Sequence, residues 1–334
     1  MTLSCTDIQS KWSWQDWIGA LAVRLAFRRM HYSIEAGLYK LNSPNPDSPV
    51  FVSANYKLSF DHLRKALDGI AAWILVLDTK GINVWCAAGK GTFGTEELLN
   101  RLEAVRLSEK ITHKQLIVPQ LGAPGVAAHH IQQHSGFHAI YGPVRAKDIP
   151  RFLDAGSKAS PDMRRVQFNL VDRLAIVPVE MIGSIRKVFL VALTFALIAS
   201  RRQGYGSWSW QYLYGEEALF AALLVFAGYL LVSIMTPALL PWLPGRAFSV
   251  KGMGAGILAW LLLLASRLYL QVEDLLAWLL LFIIIGSFMG LNLTGASTYT
   301  SLSGVKKETR LAVPWMIAGL LTAAGLWFWS CSRM

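Results

Sequence analysis

Cysteine is scarce in this sequence: 334 residues carry three, Cys5, Cys86 and Cys331. They are too few and too far apart for a disulfide framework, a redox pair or an iron–sulfur site. A reducing, cytosolic setting therefore fits the polar part of the chain. Residues 181–334 contain none of the seven histidines and only 11 of the 32 Lys and Arg and 5 of the 21 Asp and Glu. Short nucleotide fingerprints are missing too. A phosphate-cradling loop needs G-x-x-x-x-G-K-[ST], but the Gly-Lys pair at Gly89 and Lys90 has Val84 and Gly91 where Gly and Ser or Thr are required. No G-x-G-x-x-G follows the first strand pattern. The start, "MTLSCTDIQSKWSWQDW", lacks an apolar run after a basic opening, so no cleaved signal peptide is expected. The net charge of +11 is spread out and forms no aromatic-basic platform, which argues against nucleic acid.

Long apolar runs are present, and only in the second part. The mean hydropathy of +0.39 averages a polar first part and an apolar second one. Three regions follow: a Trp-rich amphipathic segment over 1–45, an α/β domain over 46–180, and a transmembrane domain over 181–334. Five spans are expected near 185–200, 217–240, 253–271, 275–294 and 312–330, the first short for a bilayer that needs about 20 apolar residues. Within them Arg267, Asn292, Thr294 and Ser297 are the polar exceptions. Arg246, Lys251, Lys306, Lys307 and Arg310 fall in loops on one side, which favours placing the polar domain inside, at the cytoplasmic face.

In the first region, Trp12, Trp14 and Trp17 precede a basic amphipathic run, "AVRLAFRRMHYSIEAGLYKL", read as a helix that packs on the core, with a place on the membrane surface as the alternative. From Val50, apolar runs alternate with amphipathic ones. "VFVSAN", "AWILVLD", "QLIVPQ" and "FHAIYGP" read as strands of a parallel sheet covered on both faces. Such sheets bind ligands at the carboxyl ends of their strands. The Gly- and Pro-rich stretches "NYKLS", "DTKGINVWCAAGKG", "PQLGAPG" and "YGPVRAKD" all sit there.

The second of these holds Cys86. A lone Cys among apolar residues is usually a small buried hydrophobe. Here it lies at the ligand edge, beside Trp85 and the small residues Ala87, Ala88, Gly89 and Gly91, which let a large flat ligand approach the backbone. A thiolate can ligate a metal held by a macrocycle. A Cys–His nucleophile would need a placed imidazole, from His113 or from His129, His130, His134 and His138, and no spacing rule puts one beside Cys86. His130 and His134 have the spacing of a helical metal pair, though loose surface histidines share it.

"NVWCAAGKGTFGT", with "ANYKLSFDHLRKAL" before it and "QLGAPG" and "SGFHAIYGPVRAKDIP" after it, resembles the corrinoid-binding domain of the corrinoid iron–sulfur protein of the acetyl-CoA pathway. The cysteine in the motif, the five apolar segments and "NLTGASTYTSLSGVKKETR" are more similar to the mercury-methylating corrinoid protein family, HgcA. The likeness runs from about Val50 to Arg310. It implies a Rossmann-like corrinoid-binding α/β domain followed by an all-α transmembrane domain of five helices. It also implies Cys86 as lower axial ligand of a base-off cobalamin-type cobalt. Asn83, Val84, Trp85, Ala87, Ala88, Gly89 and Lys90 would form the capping segment. Asn55, Gly91, Thr92, Leu121, Gly122, Ala123, Gly125, Gly142, Pro143 and Arg145 would line the ring and its side chains. No Asp-x-His-x-x-Gly, which would supply a histidine ligand instead, occurs.

The activity so implied is methyl transfer from a methyl-Co(III) corrinoid to inorganic Hg(II), giving methylmercury. The alternative is another acceptor: a different metal, a metalloid or a one-carbon pathway protein. A transporter or membrane sensor is the rival of another class. The implied partners are a ferredoxin-like protein with two [4Fe–4S] clusters as electron donor and a methyltetrahydrofolate-linked methyl donor protein. The implied location is the cytoplasmic membrane, with the corrinoid domain on the cytoplasmic side.

Overall fold

The computed structural model describes residues 5–203, 215–265, 272–296 and 302–332. Among the positions singled out above, Arg267 and Ser297 lie outside them. Two compact units divide between Gln167 and Phe168.

The first unit is built on a six-stranded mixed sheet: β1 (Thr6–Ile8), β2 (Gly37–Leu41), β3 (Val50–Ala54), β4 (Ala72–Leu77), β5 (Gln115–Val118) and β6 (His138–Tyr141), in the order β1-β2-β4-β3-β5-β6. The four strands expected from their apolar runs are all present, and β4, β3, β5 and β6 are parallel neighbours. The expectation of a wholly parallel sheet is corrected: β2 runs antiparallel to β4 over five residue pairs, and β1 is parallel to β2. Both extra strands come from the N-terminal segment. Of the run read there as a helix, residues 22–41, only 22–24 belong to the α-helix, which starts before it. Helix α1 (Trp14–Arg24) is opened by a Ser13–Asp16 capping box and ends before Ala26 and Arg28, both with positive φ. Side chains other than glycine resist that conformation, so the helix cannot continue through it.

β3, β4 and β5 are buried on both faces, as their unbroken apolar runs require, while β6 is half-buried. Val50, Val52, Ala54, Leu75, Leu77, Leu116 and Val118 face one core. It is completed by α3 (Val84–Lys90), α4 (Thr95–Ala104) and α5 (Ala128–Ser135), preceded in the chain by α2 (Lys57–Ala66). Phe51, Ile74, Val76 and Ile117 face the other core, closed by α2 and α6 (Ile149–Asp154). The alternation of neighbours such as Phe51 and Val52 follows from the two-residue period of a strand.

The second unit is helical: α7 (Leu170–Leu174), α8 (Val177–Gln203), α9 (Glu216–Leu239), α10 (Phe248–Leu264), α11 (Val272–Ala296) and α12 (Leu302–Ser332). Four helical stretches, Leu170–Ser200, Glu216–Leu239, Val272–Thr294 and Ser303–Ser332, are long and apolar enough to cross a membrane. Among the described residues, four of the five expected spans fall on helices of that length, and the one expected near 253–271 falls on a shorter apolar helix, α10, and runs on past the described residues. The segment that looked short near 185–200 belongs to a long helix. It is α10, with 17 residues, that rises only about 25 Å within the described residues.

α10 and α11 cross with almost no space between their backbones. A Cβ at Gly252 or Gly256 would lie 1.9 or 2.2 Å from the carbonyl oxygens of Gly286 and Phe282, and one at Gly286 would lie 2.1 Å from that of Gly252. These two small-xxx-small pairs are the packing device of membrane helices, where close contact replaces the hydrophobic drive. Phe195, Trp278 and Trp327 form an aromatic cluster with centroids 5.1–6.5 Å apart. Leu223, Trp315 and Leu321 are more than half exposed, as befits a lipid-facing surface. The buried Asp274 carboxylate accepts from Ser330 Oγ at 2.6 Å, a polar position in α11 that hydropathy alone passed over.

Candidate functional site

Parallel pairing puts the carboxyl ends of β3, β4, β5 and β6 along one sheet edge. Strand order reverses between β3 and β5, the place where doubly wound sheets open a crevice for ligand.

Asn55, just after β3, organises the loop that follows β4. Its Oδ1 accepts from the amides of Thr79 (3.1 Å) and Gly81 (3.0 Å), and its Nδ2 donates to Asp78 Oδ1 at 3.1 Å. The Thr79 hydroxyl lies 2.8 Å from Asn55 Oδ1 and 2.6 Å from the Ile82 carbonyl, and donates to one at a time. Asp78 N donates to Glu97 of α4 at 2.8 Å. Asn55 is buried, with its Oδ1 and one Nδ2 hydrogen engaged inside the chain. It positions the loop that follows β4.

The loop so fixed delivers α3. Asn83 caps it, its Oδ1 accepting from the Cys86 amide at 2.9 Å. At the other end Gly91, with φ of 82°, closes a Schellman motif: Thr92 N donates to Ala87 O at 3.0 Å and Gly91 N to Ala88 O at 3.3 Å. Gly91 therefore has a sufficient reason in helix termination. Ala87 and Ala88 are buried against the sheet, while Val84, Trp85, Cys86 and Thr92 are half-buried and Gly89 and Lys90 are exposed. Cys86 is a free thiol.

The glycines of this edge separate by physical role. A Cβ at Gly125 would stand 2.1 Å from the Phe93 carbonyl oxygen and 3.1 Å from Ala88 Cα, and one at Gly122 would stand 2.4 Å from the Phe93 ring. Those two let the "LGAPG" turn, including Leu121 and Ala123, press against α3. Gly142 is held by its amide, which donates to Val118 O at 2.8 Å, and a Cβ there would meet Ile117 at 3.0 Å. Pro143 is buried beside it, and Arg145 donates to Gln167 O at 2.8 Å. Gly89 is different. It is helical, has no positive φ, and a Cβ there would meet nothing within 4 Å. Gly in a helix costs up to about 1 kcal/mol against Ala, and no described residue packs into the space its missing Cβ leaves. Gly89 lies three residues after Cys86, on the same helix face. A bare patch of backbone thus sits beside the half-exposed Cys86 sulfur, with Trp85 and Lys90 at its margins.

The histidines stand elsewhere. His113 Nε2 is 2.9 Å from Ser48 O, and its Nδ1 accepts from Gln115 N at 3.2 Å, so both nitrogens are engaged. It lines a cavity of about 550 Å³ with Val50 and Gln115 at the amino ends of the strands, the opposite edge from Cys86. His129, His130 and His134 are exposed on α5, and His134 Nδ1 pairs with the His130 carbonyl at 2.9 Å. No group of three or more metal-ligating side chains occurs among the described residues.

Known proteins resemble the first unit in sequence. Residues 28–153 match the family CdhD, described as CO dehydrogenase/acetyl-CoA synthase delta subunit. The chain is 31% identical over 128 residues to the acetyl-CoA decarbonylase/synthase complex subunit gamma of Archaeoglobus fulgidus, covering 38% of this chain and 27% of that one. It is 28% identical over 124 residues to the corrinoid/iron-sulfur protein large subunit of Moorella thermoacetica, covering 36% of this chain and 27% of that one. The chain thus spans about a quarter of the length of these relatives. The family match lies within the first compact unit.

Proposed function

We propose that the first unit is a Rossmann-like corrinoid-binding domain, and that the protein is a membrane-anchored corrinoid-dependent methyltransferase whose acceptor is inorganic mercury. One observation carries the cofactor reading: the face formed by Cys86 and Gly89, a free thiol beside helical backbone left bare without any packing reason. A flat macrocycle needs such a face, and a thiolate is a competent cobalt ligand. The relative from Moorella thermoacetica, a corrinoid/iron-sulfur protein by name, supports the same reading.

In this reading the Cys86 thiolate would hold the corrinoid's cobalt in place of the corrinoid's own base. Asn83 holds the first turn of α3 so that the sulfur keeps its place. Asn55 and the 78–82 loop fix the approach of α3 to the sheet. Gly89 admits the ring plane, Trp85 covers its margin, and the "LGAPG" and "YGPVR" turns flank its side chains. The corrinoid, when bound, supplies a cobalt–carbon bond whose electron pair leaves with the methyl group to Hg(II), giving methylmercury and a cobalt centre that two electrons must reduce before remethylation. Cys5, Cys86 and Cys331 cannot assemble a cluster, so the electrons come from a ferredoxin-like partner with two [4Fe–4S] clusters. The methyl group comes from a methyltetrahydrofolate-linked protein. The apolar helices anchor the chain in the cytoplasmic membrane, with the corrinoid domain on the cytoplasmic side.

The test uses the full chain, reconstituted anaerobically with methylcorrinoid and given Hg(II), against Cys86→Ala at matched corrinoid occupancy. Methylmercury above the variant's level supports the reading. Equal yields from both remove Cys86 from the chemistry. Bound corrinoid with no methylmercury from either shifts the acceptor to another metal, a metalloid or a one-carbon pathway protein.

A further inference from the structure

Helix α1 is inverted with respect to the unit that carries it. A surface helix turns its large apolar residues to the core and its polar ones to water. Here the inward side carries Gly19, Ala20 and Val23, and Gly19 fits so closely that a Cβ would stand 2.4 Å from the Tyr32 hydroxyl. The large residues point out. Trp14, Ile18, Leu21 and Leu25 are 69, 55, 59 and 41% exposed and recur at intervals of four, three and four, one stripe of a helix. Trp17 lies beside the stripe, and Phe27 continues it at 65% exposure. α1 is held to α2 by polar contacts beside the small buried side chains of Ala20 and Val23. Asp16 pairs with Lys57 at 2.6 Å and Arg64 at 2.7 Å, and Trp12 Nε1 donates to Asp61 O at 2.8 Å.

The rim of the stripe is cationic. Arg24 and Arg28 are exposed, Arg28 lies 5.9 Å from the Phe27 ring centroid, and Lys65 Nζ lies 4.5 Å from that of Trp17. Asp16, the one acid in α1, is already neutralised by its two partners. Exposed Trp and Leu with flanking Arg and Lys are the composition of a helix lying in a headgroup region that contains anionic lipid. The same chain begins a helical stretch long and apolar enough to span a bilayer at Leu170, three residues after the first unit ends. Such a tether keeps a membrane surface at high effective concentration.

We infer that α1 is an interfacial anchor. Its Trp14–Leu25 stripe lies in the headgroup layer of an anionic bilayer and sets the orientation of the first unit on the membrane. The inference rests on the membrane reading of the second unit and is independent of the cofactor.

The test is nitroxide depth measurement on the full chain in phosphatidylcholine–phosphatidylglycerol vesicles. Cys5, Cys86 and Cys331 are replaced by Ser, Ser and Ala, and single cysteines are placed at positions 18, 21, 25, 132 and 315. All five replace exposed side chains, so the fold is not at stake. Position 315 on α12 reports whether the spans are in lipid, separately from the α1 question. With 315 in lipid, labels at 18, 21 and 25 should show a several-fold higher ratio of oxygen to nickel-chelate accessibility than the label at Gln132 on α5. That ratio should fall when phosphatidylglycerol is omitted. Ratios at 18, 21 and 25 equal to that at 132 would overturn the inference. Labels shielded from both reagents would also overturn it, because a protein surface, a second copy or a partner, would then cover the stripe.

Discussion

Gly89 offers a substitution that should improve the fold and impair the function. Its Cβ position is open to 4 Å and its backbone is ordinary helix, so Gly89→Ala or Gly89→Leu meets no internal clash. Helix propensity alone predicts up to about 1 kcal/mol of stabilisation. For a unit of this size that is an upward shift of roughly 2–4 °C in thermal midpoint. The Leu side chain would rise from the face that carries the Cys86 sulfur, into the plane assigned to the corrinoid. Overpacking a fitted contact costs about 1–3 kcal/mol, or roughly 5- to 150-fold in affinity. The assay pairs a thermal melt of the full chain with anaerobic equilibrium dialysis against base-off cobalamin, for wild type, Gly89→Ala and Gly89→Leu. A graded loss of corrinoid with an unchanged or raised midpoint is expected. Wild-type retention by Gly89→Leu would refute the argument that this bare backbone exists for a ligand.

Three further outcomes follow from the same geometry. Asn55→Ala strips the acceptor from the buried Thr79 amide and from Gly81, so it should cost about 1–3 kcal/mol and loosen corrinoid retention, measured by melting and dialysis. Gly125→Ala would drive a methyl group into the Phe93 carbonyl and Ala88. It should destabilise by about 1–3 kcal/mol and displace α3, which hydrogen exchange at the Ala87 and Ala88 amides would report. Burial opposes ionisation of Asp16, but hydrogen bonds from Lys57, Ser13 N–H and Arg64 outweigh it and hold the carboxyl well below the usual carboxylate range. The folded state therefore binds that proton less readily than the unfolded one. Its stabilisation is complete above the ordinary Asp pKa of about 3.9 and is lost as pH falls below it. An acid titration by near-ultraviolet circular dichroism should show Asp16→Asn less steeply destabilised below about pH 4 than wild type; identical curves would count against the pairing.

The parts of the fold legible in the sequence were those where one physical signal acts alone. β3, β4 and β5 are buried on both faces and β6 is half-buried, so their apolar runs are unbroken and bounded by Gly, Pro and Asn. β1 and β2 were not legible. β1 has three residues, and β2, "GLYKL", opens on Gly and carries Lys40; pairing with β4, not propensity, makes it a strand. The helix read through Ala26 and Arg28 failed on backbone conformations that no periodicity reveals. At the candidate site, Cys86 and the small residues around it stood out by type. Their division of labour did not: that Gly91 terminates a helix, Gly125 packs, Asn55 organises the loop after β4 and Gly89 is bare depends on distances between loops far apart in sequence. The outward stripe on α1 was not legible: the amphipathic run was read from Ala22, and the stripe from Trp14 to Leu25 faces out because Gly19 packs against Tyr32.

The most direct measurement is electron paramagnetic resonance of the Co(II) corrinoid bound to the full chain, with Cys86→Ala and Cys86→His alongside. Sulfur ligation with the corrinoid's own base displaced predicts no axial-nitrogen superhyperfine splitting in wild type and a nitrogen triplet in Cys86→His. It also predicts an axial signal in Cys86→Ala that differs from wild type. A nitrogen triplet in wild type, or identical spectra for wild type and Cys86→Ala, would contradict the assignment of Cys86 as the cobalt ligand.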